Sequence, residues 1–278
     1  MLKLIENHRS FKGFQKVYEH NSSSNNCVMR FALYEPDDAI DSPVLFFLSG
    51  LTCTEQNFIQ KSGFQKYASE KKIVVICPDT SPRGKSIHDS ENWKIGQGAG
   101  FYVNAKNKPW SNNFKMYDYI TKELPELISK KFNFNHSLVG IFGHSMGGGG
   151  AIQCALKNKN YFKSVSAFSP ICSFLKSDLA KLAMENYFNN ETKLIEEYDP
   201  ISLVKNRSLS VEDILIDVGL DDEFLEQLYI DEFYEHYKKN SEKITLRKQK
   251  QFSHNYYFIH SFVVDHIHFH ANKLTSIK

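Results

Sequence analysis

With 278 residues, 41% of them hydrophobic, the chain is long enough to bury one large α/β core, and 34 Lys and Arg against 32 Asp and Glu leave a formal charge of only +2. With no long basic tract, that balance excludes a nucleic-acid surface built on bulk charge. The longest apolar runs, VLFFL (44–48) and IVVI (73–76), are far too short to cross a bilayer, and MLKLIENHRS carries no signal-peptide apolar core, so a soluble cytoplasmic protein is expected.

Seven runs read as strands in chain order: VMRFALYE (28–35), PVLFFLSG (43–50), KIVVICPD (72–79), SLVGIFGH (137–144), KSVSAFSP (163–170), DILIDVG (213–219) and KITLRKQ (243–249). From the second onward most are continuously apolar instead of alternating, the pattern of strands buried on both faces of a parallel sheet. NSSSNN (21–26) reads as a long hairpin loop between two strands. The segment 114–132 sets Ile120, Leu124, Leu127 and Ile128 at i, i+4, i+7 and i+8, an apolar stripe suited to packing on a sheet, and Pro125 inside it predicts a kink or a restart. Further helices are predicted over 150–158, about 223–239 and about 256–273. Strands alternating with helices predict an α/β fold: a mostly parallel central sheet, helices on both faces, and an active site at the carboxyl ends of the strands. No repeat or linker divides the chain, so a single domain over 1–278 is expected, with the charged, strandless stretch 173–208 as a cap-like insertion beside the site or a surface excursion. The five cysteines, Cys27, Cys53, Cys77, Cys154 and Cys172, are widely spaced with no C-x-x-C pair and read as free thiols.

The most informative stretch is SLVGIFGHSMGGGG (137–150). A Walker-type phosphate loop needs a lysine directly after its glycines, and none occurs until Lys157. A dinucleotide fingerprint needs an acid at the end of the next strand, and KSVSAFSP ends without one. Gly143-His144-Ser145-Met146-Gly147 fits G-x-S-x-G between a strand and a helix, a strained turn that presents a nucleophilic serine. Small residues two positions to either side let helix and strand close around it. An exposed Ser145 hydroxyl on a surface elbow is expected.

A serine hydroxyl needs a base, and the base needs an orienting acid; with this turn the chain order is Ser, acid, His, each from a loop after a strand. Asp221 and Asp222 both follow the strand DILIDVG, whereas Asp213 and Asp217 belong to the strand. His254 in QFSHNYYF is the one histidine in a post-strand loop downstream of those acids. His236 falls on a charged helix, and His260, His266, His268 and His270 fall on the last one. His266 and His270 at i, i+4 lack a matched third ligand and read as a helix-surface cluster, so no metal site is expected. The tetrahedral intermediate needs two backbone N–H donors. Met146, directly after the nucleophile, and Leu51, in the loop after PVLFFLSG, are the candidates.

The chain resembles the S-formylglutathione hydrolase (esterase D) family of α/β-hydrolases over nearly its whole length. The resemblance is carried by LSGLTCTEQNF (48–58), PDTSPRG (78–84), GAGFYVNA (98–105), MYDYITKELP (116–125), GHSMGG (143–148), CALKN (154–158), KSVSAFSPIC (163–172), DDEFL (221–225) and YYFI (256–259). It implies Ser145 as nucleophile, His254 as base and Leu51 and Met146 as oxyanion donors. It also selects Asp222 over Asp221, because the family's acid stands three after a glycine and two before a phenylalanine. Members hydrolyse S-formylglutathione to formate and glutathione, completing glutathione-dependent formaldehyde removal; many also cleave simple esters, and many are homodimers. The likeness sets Cys53 near the nucleophile, where thiol modification would block the site; Cys53, Trp93, His144 and Tyr256 are the candidate pocket residues.

Three departures stand out. Gly149 replaces the family's histidine, Ser253-His254-Asn255 stands for Asp-His-Ser, and SFLKSDLAKLAMENYFNN (173–190) replaces a segment that helps wall the acyl pocket. The expected activity is cofactor-free serine hydrolysis of a small-molecule thioester, with no nucleic-acid or membrane partner. The alternatives are a general short-acyl carboxylesterase and an inactive α/β-hydrolase scaffold used for binding. The last would lack a triad member, and all three are present.

Overall fold

The computed structural model describes residues 1–158, 160–206, 213–240 and 243–275. The strands are β1 (Lys3–Arg9), β2 (Gly13–Ser22), β3 (Cys27–Pro36), β4 (Pro43–Leu48), β5 (Val74–Pro78), β6 (Asn135–His144), β7 (Phe162–Phe168), β8 (Ile214–Gly219) and β9 (Ile244–Gln249). Among the described residues they form one nine-stranded sheet in the order β1-β2-β3-β5-β4-β6-β7-β8-β9. β5, β4, β6, β7, β8 and β9 run parallel, and β1, β2 and β3 add an antiparallel edge. The order steps outward from β4 in both directions, the doubly wound arrangement the sequence pattern predicted.

Burial on both faces is visible residue by residue in β4. Leu45 and Phe47 join a core with Phe58, Phe64, Phe142, Phe258 and Val263 on one face. Val44, Phe46 and Leu48 join the larger core with Ile141, Ile152, Val165 and Ile216 on the other. The first face is covered by α1 (Glu55–Lys61), α2 (Gln65–Lys71) and the last helix; the second by α3 (Met116–Asp118), α4 (Leu124–Lys131), α5 (Met146–Lys157) and the helices that follow it. Those are α6 (Lys181–Phe188), α7 (Thr192–Glu196), α8 (Pro200–Asn206), α9 (Leu225–Leu228) and α10 (Ile230–Asn240), before α11 (Tyr256–Thr275) returns to the first face. The stretch 173–208 contains α6, α7 and α8, and its last two residues lie outside the described residues.

Several local expectations acquire a physical form. Pro125 lies at the start of α4, and the turn before it, Tyr119–Glu123, is a π-helix in which Leu124 N–H donates to Tyr119 C=O. The wider turn absorbs the hydrogen bond that proline cannot donate, so the segment restarts. The predicted helix at 223–239 is broken at Tyr229, whose φ is +54°. NSSSNN closes the β2–β3 hairpin, and the Glu123 carboxylate accepts from Ser22 Oγ and the Ser23 and Ser24 N–H groups. β1, α1 and α2 were not among the predicted elements, and β2 was expected only as the unbounded first strand of the NSSSNN hairpin.

Candidate active site

The elbow is built by close approach. Gly143 is the penultimate residue of β6 and Gly147 lies in the first turn of α5. A Cβ on Gly143 would overlap the Gly147 carbonyl, and one on Gly147 would overlap the Leu48 carbonyl at the end of β4, so only glycines let α5 start where it does. Ser145 between them has φ +58° and ψ −119°, a conformation costly for any residue with a side chain. Neighbouring backbone holds it there. Its N–H donates to Phe168 C=O at 2.9 Å, and its own C=O accepts from Ile171 and Gly149 N–H, each at 3.1 Å.

The expectation of an exposed surface serine is corrected. Ser145 is only 5% exposed, because residues from the loops after β4, β5, β7, β8 and β9 wall the cleft around it. It lines a cleft of about 390 Å³, within the size of ordinary small-molecule sites.

The other predicted residues converge on the same cleft. His254, from the loop after β9, and Leu51, from the loop after β4, line it together with Cys53, Trp93, His144 and Tyr256. Asp222 follows β8 and is buried; its Oδ2 lies 2.7 Å from His254 Nδ1, while its Oδ1 accepts from Phe224 N–H at 2.8 Å. Burial alone would raise the Asp222 carboxyl, but the hydrogen bond and charge of His254, with the Phe224 N–H, hold it below the ordinary carboxylate range. Asp221, its neighbour, is exposed, and its N–H is spent on Phe252 C=O. The imidazole of His254 is wedged between His144, 4.4 Å away, and the edge-on ring of Phe224 at 5.0 Å, so its plane is fixed from both sides. Among the described residues the hydrogen bonds of His254 go to Asp222 and Glu223, and both His254 and Ser145 line the one cleft.

Two backbone donors remain unspent. None of the hydrogen bonds among the described residues uses the N–H of Leu51 or of Met146, the latter at the N-terminus of α5 where no intrahelical acceptor exists. Gly50 lets the β4 loop reach the elbow: a Cβ there would stand 3.2 Å from Ser145 Cβ and 3.3 Å from His144 Nδ1. The loop is pinned by Tyr102 Oη donating to Ser49 C=O at 2.8 Å, and by Arg83 Nη2 donating to Cys53 C=O at 2.8 Å. Arg83 is itself held by Asp79, whose carboxyl burial pushes up to about 6 against the pull of the arginine.

Two pocket residues have distinctive chemistry. Burial, with the nearby His254, keeps His144 neutral, far below its ordinary pKa, and neither ring nitrogen has a hydrogen-bond partner among the described residues. Burial pushes the Cys53 thiol up, with the neighbouring Tyr256 opposing, so it is not a ready thiolate. Glu223, Phe224 and Leu179 also line the cleft, and Glu223 accepts from the His254 N–H at 3.2 Å. They were missed as site residues, although the DDEFL run quoted above already placed the first two beside the acid.

The helix-surface reading of His266 and His270 is corrected as well. Both are fully buried against the sheet. His266 Nε2 lies 3.1 Å from Asp217 Oδ2 and its Nδ1 2.7 Å from Ser166 Oγ, and His270 bridges Ser166 and Ser164 at 2.8 and 2.6 Å. Asp217 is also paired with Arg247. Every ring nitrogen of the two histidines is therefore committed to a structural network. Among the described residues no group of three or more His, Cys, Asp or Glu is arranged to hold a metal ion.

Comparison with known proteins follows the same lines. The family model described as "Putative esterase" matches residues 22–269. The chain is 49% identical to S-formylglutathione hydrolase of Mus musculus and 48% identical to that of Rattus norvegicus, in each case over 99% of both chains. The chain belongs to the S-formylglutathione hydrolase family. A solved structure of a family member from Agrobacterium tumefaciens matches with a TM-score of 0.95 at 42% identity, covering 98% of this chain and 99% of the other. The family fold, a parallel sheet flanked by helices in an α/β-hydrolase, is the one described above. Against that background Gly149 acquires a meaning. A Cβ there would overlap the Ile171 carbonyl, in the stretch that matches the family, and come within 3.1 Å of Phe174, in the altered segment that follows, so the chain after β7 packs directly onto α5 at this glycine.

Proposed function

We propose that the protein hydrolyses S-formylglutathione to formate and glutathione by a Ser145–His254–Asp222 triad. The observation that carries this reading is the 2.7 Å contact between His254 Nδ1 and the buried Asp222, in one cleft with a serine on a strained elbow. Ser145 Oγ attacks the formyl carbon while His254 Nε2 takes its proton. Asp222 keeps the Nδ1 proton in place and stabilises the imidazolium as it forms. The carbonyl oxygen becomes an oxyanion on the unspent Leu51 and Met146 N–H groups, donors already oriented before the reaction. Collapse breaks the C–S bond, and His254 gives its proton to the departing sulfur. Water, deprotonated by the same His254, attacks the formyl-serine; the second tetrahedral species releases formate and returns the proton to Ser145.

These steps use side chains and backbone of this chain throughout. The five cysteines are all free, in keeping with a reducing compartment, and we place the reaction in the cytoplasm. Among the described residues no helix is long and apolar enough to cross a membrane. A second reading, a general short-acyl carboxylesterase, is favoured only by the altered sequence of the segment 173–190, whose Phe174 lies against Gly149. Comparing kcat/KM for S-formylglutathione with that for a neutral short aryl acetate tests the proposal: the thioester is expected to be strongly preferred, and a preference for the acetate supports the second reading.

A further inference from the structure

A second cavity, of about 600 Å³, lies beside the catalytic cleft and is lined by Lys61, Asn255, Tyr256, Tyr257 and His260. Tyr256 is a wall of both, so the two spaces meet at one side chain. Lys61 comes from the end of α1, and the aromatic residues and His260 from the start of α11, directly after His254.

Asn255 is engaged in capping α11 and in a bond to Ser253 Oγ, but two other polar groups of the lining are uncommitted. Lys61 Nζ stands 5.5 Å over the Tyr256 ring, and no carboxylate of the described residues pairs with it. Its charge reaches the cleft wall, where it acts on Cys53. The ring nitrogens of His260 make no hydrogen bond among the described residues, and its ring packs where a side chain on Gly63 would stand. α11 opens with no acidic residue in its first turn and is capped by a neutral group, Asn255 Oδ1 accepting from the Tyr257 and Phe258 N–H groups, so no negative charge of its own first turn offsets the positive end of this 20-residue helix. Tyr257 is 84% exposed, a large aromatic face left to solvent at the rim. A cation, a helix N-terminus and two aromatic faces, adjoining a nucleophile, suit an anionic peptide.

Resting on the function proposed above, we infer that this cavity holds the peptide part of the glutathionyl leaving group. Lys61 meets one of its two carboxylates, and Tyr256 and Tyr257 cover its backbone. The two spaces share the Tyr256 wall, and the thioester sulfur sits on the central residue of the tripeptide, so a formyl group on Ser145 leaves two peptide arms free to extend past Tyr256 into the neighbouring space. The γ-glutamyl ammonium leaves the group with a net charge of −1, which the unpaired Lys61 offsets. The aromatic faces add contact area at low entropic cost. Small neutral esters would occupy only the cleft of Ser145 and gain nothing from Lys61.

The test uses S-methylglutathione, which carries the peptide but no cleavable acyl group, as an inhibitor of aryl acetate hydrolysis by the full chain. Competitive inhibition is expected in the parent protein, and Lys61→Met should raise its Ki roughly fivefold, with Lys61→Arg restoring most of the affinity. The ratio of kcat/KM for S-formylglutathione to that for the acetate should fall by the same factor, through KM and not kcat. An unchanged Ki in Lys61→Met, or a loss equal for both substrates, overturns the site. A parent protein that cleaves S-formylglutathione but is not inhibited by S-methylglutathione overturns this site alone. One that is inhibited but inert toward S-formylglutathione supports the site and overturns the proposed reaction.

Discussion

Replacing Asp222 by asparagine probes the triad with almost no change of shape. The structure dictates how the new amide must sit. Phe224 N–H, 2.8 Å from Oδ1, needs an acceptor, so the amide oxygen stays on that side and the NH₂ group turns toward His254 Nδ1. Nδ1 must then accept, which moves the ring proton to Nε2, the nitrogen that has to receive the proton of Ser145. The wrong tautomer is locked in by a backbone donor two residues away. The equivalent change in a serine-protease triad costs about 10⁴ in kcat, or about 5 kcal/mol of barrier at 1.36 kcal/mol per factor of ten. Steady-state turnover of an aryl acetate reads the loss, and a melting curve close to that of the parent shows that packing is intact. Asp221→Asn, on an exposed side chain, should leave kcat within about twofold. An Asp222→Asn variant that keeps a tenth or more of the parent kcat, or an Asp221→Asn variant that loses more than Asp222→Asn, would refute the reasoning.

Two further outcomes follow from the elbow and the buried histidines. Ser145→Ala and Ser145→Gly should both abolish turnover and labelling by a fluorophosphonate probe, and the glycine variant should melt at the higher temperature. At φ +58° a side chain costs about 1–3 kcal/mol, more than the roughly 0.4–1 kcal/mol that glycine loses through unfolded-state entropy, so a lower melting point for the glycine variant would contradict the strain. Stability should also fall as pH drops from 7.5 to 5.5. His144, His266 and His270 are held neutral chiefly by burial, with pKa values below the ordinary 6.5. Below that pH the unfolded chain binds protons the folded chain refuses, so stability present above it is lost. Asp79, raised to about 6, works in the opposite direction as pH falls toward 3.8, one group against these three and the likewise lowered His20 and His236. A higher melting temperature at pH 5.5 would contradict this balance.

Much of the architecture was legible because its signals are local. The unbroken apolar runs of β4 and β5 announce burial on both faces, and Gly143-x-Ser145-x-Gly147 between strand and helix announces the elbow. What escaped depends on partners far away in the chain. β2 buries Gln15, His20 and Ser22 beside Val17, so no clean hydrophobic alternation marks it. α1 begins with a capping box, but its third helical residue is Asn57 and not the usual Glu or Gln. His266 and His270 look like surface residues on a helix until Asp217 and Ser166, 49 and 100 residues from His266, arrive to pair with them. The burial of Ser145 has the same origin, since the loops that shelter it follow five different strands. Both Asp221 and Asp222 remained open to residue-level argument, and the resemblance alone singled out Asp222. Only the folded chain shows one carboxylate turned in and the other turned out.

The measurement that tests the central claim most directly is the steady-state hydrolysis of S-formylglutathione by the parent protein, followed by release of free thiol, beside that of a neutral aryl acetate. The account predicts a kcat/KM for the thioester well above that for the acetate, and complete loss of both activities in Ser145→Ala. Turnover of the acetate with none of S-formylglutathione would contradict it.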